Sequence, residues 1–482
     1  MHINSVFRIL SLLLFIVSLF MIFPIAFGLY YGEGAVIRFF LIPMAGTAVA
    51  SALVLFATRK APRVLSIRDG FLLVTLSWVF SALIGSLPFF LSGVIPSFSD
   101  AYFETMSGFT TTGASILTDI ESLPMCMLFW RSLTHWLGGM GIVVLAVAVL
   151  PFLGIGAYQL VKAEAPGPTL DKIAPRMTHT AKILWLTYLF LTVAQTVLLM
   201  FGGMNLFDAL THTFGTLATG GFSPKGLSVG HYDSPFIDIV ITVFMMLAGM
   251  NFILYYRLIS GKVRSVFKNA EFKTYIGIFA AATIIMAIVL TRTTYPTFGK
   301  SLRYAGFQAA TILTTTGYVT ADYELWPHFA QIVLFSLMFI GGCSGSTGGG
   351  IKVIRILTLV KLGLSEMKYL AHPRGVFNIK ISGETLRKDT VYTIAAFFFI
   401  YIFMLLVTTA IVASAGNTIL TSLSSALVTL GNIGPGFGKI GPTGNYFFYP
   451  DYVKWFLSFA MMVGRLELYT VLIILTPAFW RR

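Results

Sequence analysis

The stretch SGFTTTGAS, Ser107–Ser115, decides how this chain is read. It lies between strongly apolar segments, yet three threonines and a glycine are poor material for a helix. Related runs follow at Leu217–Ser223 (LATGGFS), Thr314–Thr320 (TTTGYVT) and Leu430–Gly438 (LGNIGPGFG). Aligned on Gly113, Gly220, Gly317 and Gly434, they recur roughly every hundred residues, the mark of an internal repeat. Each unit has the same order. A long apolar segment comes first: Gly70–Leu91, Ala181–Gly202, Tyr275–Leu290, Val391–Val412. An amphipathic stretch too short to span follows: Asp100–Thr110, Asn205–Leu217, Lys300–Thr314, Asn417–Thr429. The glycine run comes next, and then a second long apolar helix.

The composition sets the solvent. Of 482 residues 56% are hydrophobic and 11% charged, with a mean hydropathy of +0.84, which a water-soluble surface could not accommodate. Val6–Tyr30 and Val36–Phe56 are each long enough to cross a bilayer, and the first is too long for a cleaved signal. The predicted fold class is therefore an all-α polytopic membrane protein: four helix–pore-loop–helix repeats with pseudo-fourfold symmetry, plus an N-terminal two-helix hairpin. The hairpin takes residues 1–69 and the repeats 70–160, 161–260, 261–370 and 371–482. Cys126 and Cys343 are too few and too far apart for a disulfide framework or a CxxC metal pair.

The net charge of +14 would suit a nucleic-acid binder, but its placement argues otherwise. Basic residues gather in inter-helix loops: Arg59, Lys60, Arg63 and Arg68; Lys162, Lys172, Arg176 and Lys182; Arg257, Lys262, Arg264, Lys268 and Lys273; and Lys352 to Lys388. Loops so enriched are expected on the cytoplasmic side, which places both termini inside. Asp100, Glu104, Asp119, Glu121, Asp208, Asp233, Asp322, Glu324 and Asp451 then lie outside, with Arg292, Lys300, Arg303, Lys439 and Lys454 as basic exceptions. Each short segment and glycine run must dip in from outside and return.

Irregular backbone is tolerated at membrane depth only where protein or water covers its N–H and C=O groups. Four such loops have one common place, around a central axis. Rings of backbone carbonyls there can replace the hydration shell of a monovalent cation, and each half-helix would point its partially negative C-terminus at the ion.

Two further features stand out. GGCSGSTGGGIKVIR, Gly341–Arg355, interrupts what should be the second helix of repeat three. Ile351 before Lys352 breaks the GxxxxGK[ST] phosphate loop. Gly342-Cys343-Ser344-Gly345 resembles an intramembrane protease motif, but the only later histidine, His372, lies in a basic loop. The stretch is read as a broken helix lying across the pore below the filter, with Gly345, Ser346, Thr347, Gly348 and Gly349 as the gate. Arg465 is read as a charge midway along the last apolar helix, facing the pore and raising the barrier to cations. Glu467, two positions on, would face the opposite way. Arg131 is read as snorkelling from near its helix start, with His135 and Trp136 as packing residues.

The glycine runs and this order resemble the Trk/Ktr/HKT superfamily of potassium transporters, over about residues 70–482. The resemblance implies potassium uptake across the bacterial inner (plasma) membrane, gated by an intramembrane loop. It implies a filter of Thr111, Thr112, Gly113, Ala218, Thr219, Gly220, Thr315, Thr316, Gly317, Asn432, Ile433 and Gly434. Potassium would be held at Thr111, Thr112, Thr219, Gly220, Thr315, Thr316, Asn432 and Ile433, with no bound cofactor and no enzymatic activity. Sodium is the competing ion, because Asn432 and Ile433 replace threonines and Pro435 follows the glycine in the fourth repeat. The resemblance also implies a homodimer and a cytoplasmic, nucleotide-binding, TrkA-like regulatory ring. The alternative is a proton- or sodium-coupled secondary transporter (a symporter) with discontinuous helices, which would show two inverted halves rather than four like-oriented units.

Overall fold

Residues 1–62, 65–139 and 177–481 are described by a computed structural model, with backbone alone for 177–182. Arg63, Lys162, Lys172 and Arg176, and the end of repeat one, lie outside the described residues. The described residues are mostly helical, with one short antiparallel pair, Lys380–Ile381 with Glu384–Thr385, in the loop before repeat four.

Six helical spans among the described residues are long and apolar enough to cross a membrane. Two build the hairpin: Ile3–Tyr30, interrupted near Met21, and Gly34–Ala57. The other four open the repeats at Ile67–Leu91, Met177–Phe201, Ala270–Thr293 and Lys388–Ala413. Their lipid-side residues stay uncovered: Leu53, Phe190, Ile284 and Phe399 are exposed, which hydrocarbon tolerates and water does not.

Each half-helix packs against the helix before it and forms where the sequence places it: Phe98–Phe109, Leu206–Leu217, Phe298–Leu313 and Ile419–Leu430. Ser97, Asn205, Thr297 and Thr418 stand at their N-caps, and their side chains accept the N–H three residues on. These caps start the helices sharply where the chain turns back.

The second helices differ from the expectation of long continuous spans. In repeat two, Pro235–Ala248 and Phe252–Ile259 meet at a 93° bend, and in repeat four Asp451–Arg465 and Tyr469–Leu475 meet at 114°. Arg465 is therefore the last residue of its helix and not a mid-span charge. Glu467 and Leu468 follow with φ of 57° and 56°, and the Glu467 carboxylate accepts from Arg355 of repeat three. A cross-repeat ion pair thus replaces the opposite-facing helical placement expected for Glu467.

Two basic exceptions to the charge pattern have acidic partners. Arg303 pairs with Asp238 at 2.7 Å and Asp233 at 3.1 Å, and Lys454 with Asp100 at 2.5 Å. Close packing at the inner helices needs glycine: a Cβ on Gly138 would stand 1.8 Å from Phe109 O, and one on Gly464 2.1 Å from Leu430 O. Gly138→Ala should cost about 1–3 kcal/mol through overpacking, read as a lower melting temperature of the detergent-solubilised protein. An unchanged melting temperature would show that the half-helix shifts freely.

Candidate functional site

The four half-helices end in one shared backbone shape. The residue after each C-cap turns left-handed: Thr111 at φ 52°, Thr219 at 55°, Thr315 at 58° and Asn432 at 54°. The next N–H folds back onto its half-helix, from Thr112 to Ser107 O (2.9 Å), Gly220 to Gly215 O (2.8 Å), Thr316 to Thr311 O (2.8 Å) and Ile433 to Val428 O (2.8 Å). A glycine of positive φ completes each segment: Gly113 (77°), Gly221 (79°), Gly317 (83°) and Gly434 (95°).

This register differs by one residue from the sequence alignment in repeat two. Gly221, not Gly220, is the counterpart of Gly113, Gly317 and Gly434. Gly220 corresponds to Thr112, Thr316 and Ile433, and it is glycine for another reason. A Cβ there would lie 2.5 Å from the buried His135 ring. Ala218 matches Thr110, Thr314 and Gly431 at the half-helix C-caps, one position ahead of the three-residue segments.

The segments close a ring. A Cβ on Gly113 would stand 2.1 Å from Gly220 O, one on Gly221 2.1 Å from Thr316 O, one on Gly317 2.1 Å from Ile433 O and one on Gly434 2.6 Å from Thr112 O. Each glycine thus packs against the neighbouring repeat's carbonyl, in the order one, two, three, four, one. Left-handed φ and this close approach together require glycine at the four positions. All four also line a cavity of ≈ 350 Å³, with Asp119, Glu121, Arg131 and Lys225 on its walls.

Several side chains of the ring are tied back by hydrogen bonds, although the buried Thr111 hydroxyl has no such bond among the described residues. The Thr112 hydroxyl bonds that of Thr110 (2.8 Å), and Thr316 that of Thr314 (2.7 Å). Asn432 has the backbone of its threonine counterparts, and its amide donates to Thr112 Oγ1 and Met461 O, both at 2.9 Å. The fourth repeat therefore departs in side chains and not in backbone. Four partially negative half-helix ends converge on this ring, which favours a cation there.

Gly341–Gly350 lies on the far side of the ring from the cavity. Gly349 N donates to Thr315 Oγ1 (2.7 Å), and a Cβ on Gly349 would stand 2.4 Å from Gly431 O. Cys343 N bonds Gly249 O (2.8 Å) in the bend of repeat two, and the Thr347 hydroxyl bonds Ala248 O (3.2 Å). Thr347 and Gly348 are buried, whereas Gly345 is exposed and Ser346 partly so, with Gly345 O accepting from Phe252 N (3.0 Å). Lys352 reaches Gly348 O. Arg465 donates to Thr347 O (2.5 Å), Gly138 O (2.8 Å) and Gly139 O (3.1 Å), so one guanidinium ties this loop to the inner helix of repeat one.

Arg131 does not snorkel. It is 3% exposed, bonds Glu104 at 2.6 Å and Ser223 O at 3.0 Å, and its guanidinium sits 3.5 Å from the centre of the Phe222 ring. The reason is that its helix start is covered by repeats one and two and not by lipid. His135 is a packing residue: its Nδ1–H donates to Gly108 O (2.6 Å) and its ring stacks on Phe222. Trp136 packs likewise, with its indole N–H on Thr192 Oγ1 (3.1 Å). In the sequence Glu104 is one outer acid among several; its place midway along a half-helix, rather than at the first turn or in a loop, is what sets it apart.

Fold and site together define a polytopic helical transport protein whose four pore-loop repeats share one axis within a single chain. The family model for TrkH, a cation transport protein, matches residues 37–481, and the chain belongs to that family. It is 40% identical, over the full length of both chains, to the Trk system potassium uptake protein TrkH of Escherichia coli strain K12. It is 33% identical to TrkG of the same strain, across 100% of this chain and 99% of the relative. The crystal structure of the potassium transporter TrkH from Vibrio parahaemolyticus superposes with a TM-score of 0.90 at 38% identity, covering all of both chains.

Proposed function

We propose that this chain is a potassium uptake protein of the bacterial inner membrane, in which ions pass along the pseudo-fourfold axis through the ring formed by Thr111–Gly113, Thr219–Gly221, Thr315–Gly317 and Asn432–Gly434. The closed glycine–carbonyl contact order, one repeat to the next, carries this reading. A dehydrated cation needs acceptors from all sides at one radius, and four matched backbone turns supply them. Potassium is supported over other cations by the names of the full-length relatives. The cavity on the half-helix N-terminal side serves as the external vestibule, where Asp119 and Glu121 concentrate cations.

The loop Gly345–Gly349 is the gate. It lies directly beneath the ring, is rich in glycine, and is fastened by one arginine from another repeat. A second copy of the chain, in a homodimer, and a TrkA-like nucleotide-binding ring on the basic inner face belong to the same reading, as do repeat boundaries near residues 70, 161, 261 and 371. Conduction is channel-like. In liposomes holding the purified protein and a potassium gradient alone, potassium should flow without any imposed proton or sodium gradient. Flux that appears only with such a gradient, at fixed stoichiometry, would establish ion-coupled symport instead.

A further inference from the structure

The segments that leave the ring glycines carry only short 3-10 turns, at Ser228–Tyr232, Tyr323–Leu325 and Gly438–Ile440, so their positions depend on what surrounds them. Glu104, His212, Gln308 and Ser425 each stand nine residues before a ring glycine, at one shared place on the four half-helices. Three of them reach the segment that leaves their own ring glycine. Glu104 accepts from Ser115 Oγ (2.9 Å) and Ile116 N (2.9 Å). His212 Nε2 meets Ser223 Oγ at 3.0 Å, and Gln308 Nε2 reaches Thr320 Oγ1 at 3.4 Å. Ser425 instead bonds the Tyr449 hydroxyl at 2.6 Å, while its neighbour Ser424 accepts from Phe437 N at 2.7 Å.

The four repeats are then fastened to one another at this level. Arg131, paired with Glu104, donates to Ser223 O and so links repeats one and two. The Tyr318 hydroxyl donates to His212 O (2.9 Å), linking repeats three and two, and the Tyr323 hydroxyl to Gly436 O (2.8 Å), linking three and four. Tyr446 N donates to Ser115 O (2.8 Å), linking four and one, while its hydroxyl holds Gly434 O (2.8 Å). The links form a closed circuit around the vestibule, and every tyrosine in it is buried.

We infer that this circuit is a specificity-determining collar: Glu104, Arg131, Tyr318, Tyr323 and Tyr446 act as positioning residues that fix the radius of the ion-binding ring. The inference rests on the ring being the filter. Selectivity between two monovalent cations requires acceptors that resist collapse around the smaller one, or a fixed number of them. Glycine-rich backbone cannot supply that resistance by itself. The collar supplies it through side chains outside the ring, some of them, such as Arg131 and Tyr446, on the vestibule wall.

The test is potassium and sodium uptake by proteoliposomes holding Tyr446→Phe, Tyr323→Phe, Glu104→Gln or Gly221→Ser. The two phenylalanine variants keep the packed ring and remove one hydroxyl, so they keep the fold even where Glu104→Gln does not. Each phenylalanine variant should lower the potassium-over-sodium uptake ratio by about threefold to tenfold, the scale of one hydrogen bond, with potassium uptake itself reduced less than the ratio. A merely structural role would lower both rates together. Folded Tyr446→Phe and Tyr323→Phe proteins with the parental ratio, beside a Gly221→Ser protein with a changed one, would overturn the collar and leave the filter standing. An unchanged ratio in Gly221→Ser as well would overturn the filter reading on which the collar rests.

Discussion

Gly221→Ser is expected to abolish most discrimination between potassium and sodium and to cut potassium uptake at least tenfold. Two effects add at this residue. A side chain at φ 79° is strained by of order 1–3 kcal/mol, and its Cβ would stand 2.1 Å from Thr316 O. Neither can relax without moving that carbonyl, because the repeats contact one another in a closed order. A change of about 1.4 kcal/mol in the difference between two ions is already tenfold in selectivity. Gly220→Ala provides the contrast. Its Cβ meets the His135 ring behind the pore, so it should lower the melting temperature more than it alters the ion ratio. Uptake of both ions, measured beside thermal melting, separates the two. If Gly220→Ala changed selectivity and Gly221→Ser did not, the one-residue register difference in repeat two would be refuted at the level of function.

Arg465→Ala should raise potassium flux by roughly tenfold. Among the described residues the side chain makes charge-assisted hydrogen bonds to Thr347 O in the loop beneath the ring and to Gly138 O and Gly139 O across from it. Bonds of this kind contribute about 1.5–3 kcal/mol each where water is excluded. Losing them releases the loop and also removes a positive charge from beneath the ring, and both effects favour cation passage. Arg465→Lys separates these effects, since a single ammonium keeps the charge but cannot make the same forked set of bonds. Raised flux in both variants would assign the restraint to the bonds; raised flux in Arg465→Ala alone would assign it to the charge. Unaltered flux in both would exclude Arg465 from gating.

The neighbouring Glu467–Arg355 pair joins repeat four to the helix that follows the loop, Val353–Ala371. Together with Arg465 it puts two cross-repeat ties within three residues, at the sharper of the two helix bends. Bends of this kind concentrate where irregular backbone lines a cavity, since lipid would leave their polar groups unsatisfied. The bend in repeat two supplies Ala248 O and Gly249 O to the same loop. The second helices of repeats two, three and four are thus interrupted at the level of the loop.

Sequence by itself determined the class, the four repeats, and the half-helices to within a few residues, because each depends on local signals. Apolar length, N-capping side chains and glycine-rich runs act within a turn or two of chain, and a fourfold recurrence of them leaves little freedom. It also marked Arg465 and Gly341–Gly350 as anomalies, since charge and unprotected backbone are costly at membrane depth. Tertiary structure alone decided the rest. Gly220 and Gly221 cannot be told apart locally; one is fixed by His135 and the other by Thr316 O, from segments far away in the chain. Asn432 reads as a mismatch until its backbone is seen to match Thr111, Thr219 and Thr315. Arg131 reads as a snorkelling cation until Glu104 and Phe222 enclose it, and Arg465 as mid-helical until Glu467 turns toward Arg355. In each case the deciding neighbour comes from another element, and no local pattern in the sequence specifies where that element will lie.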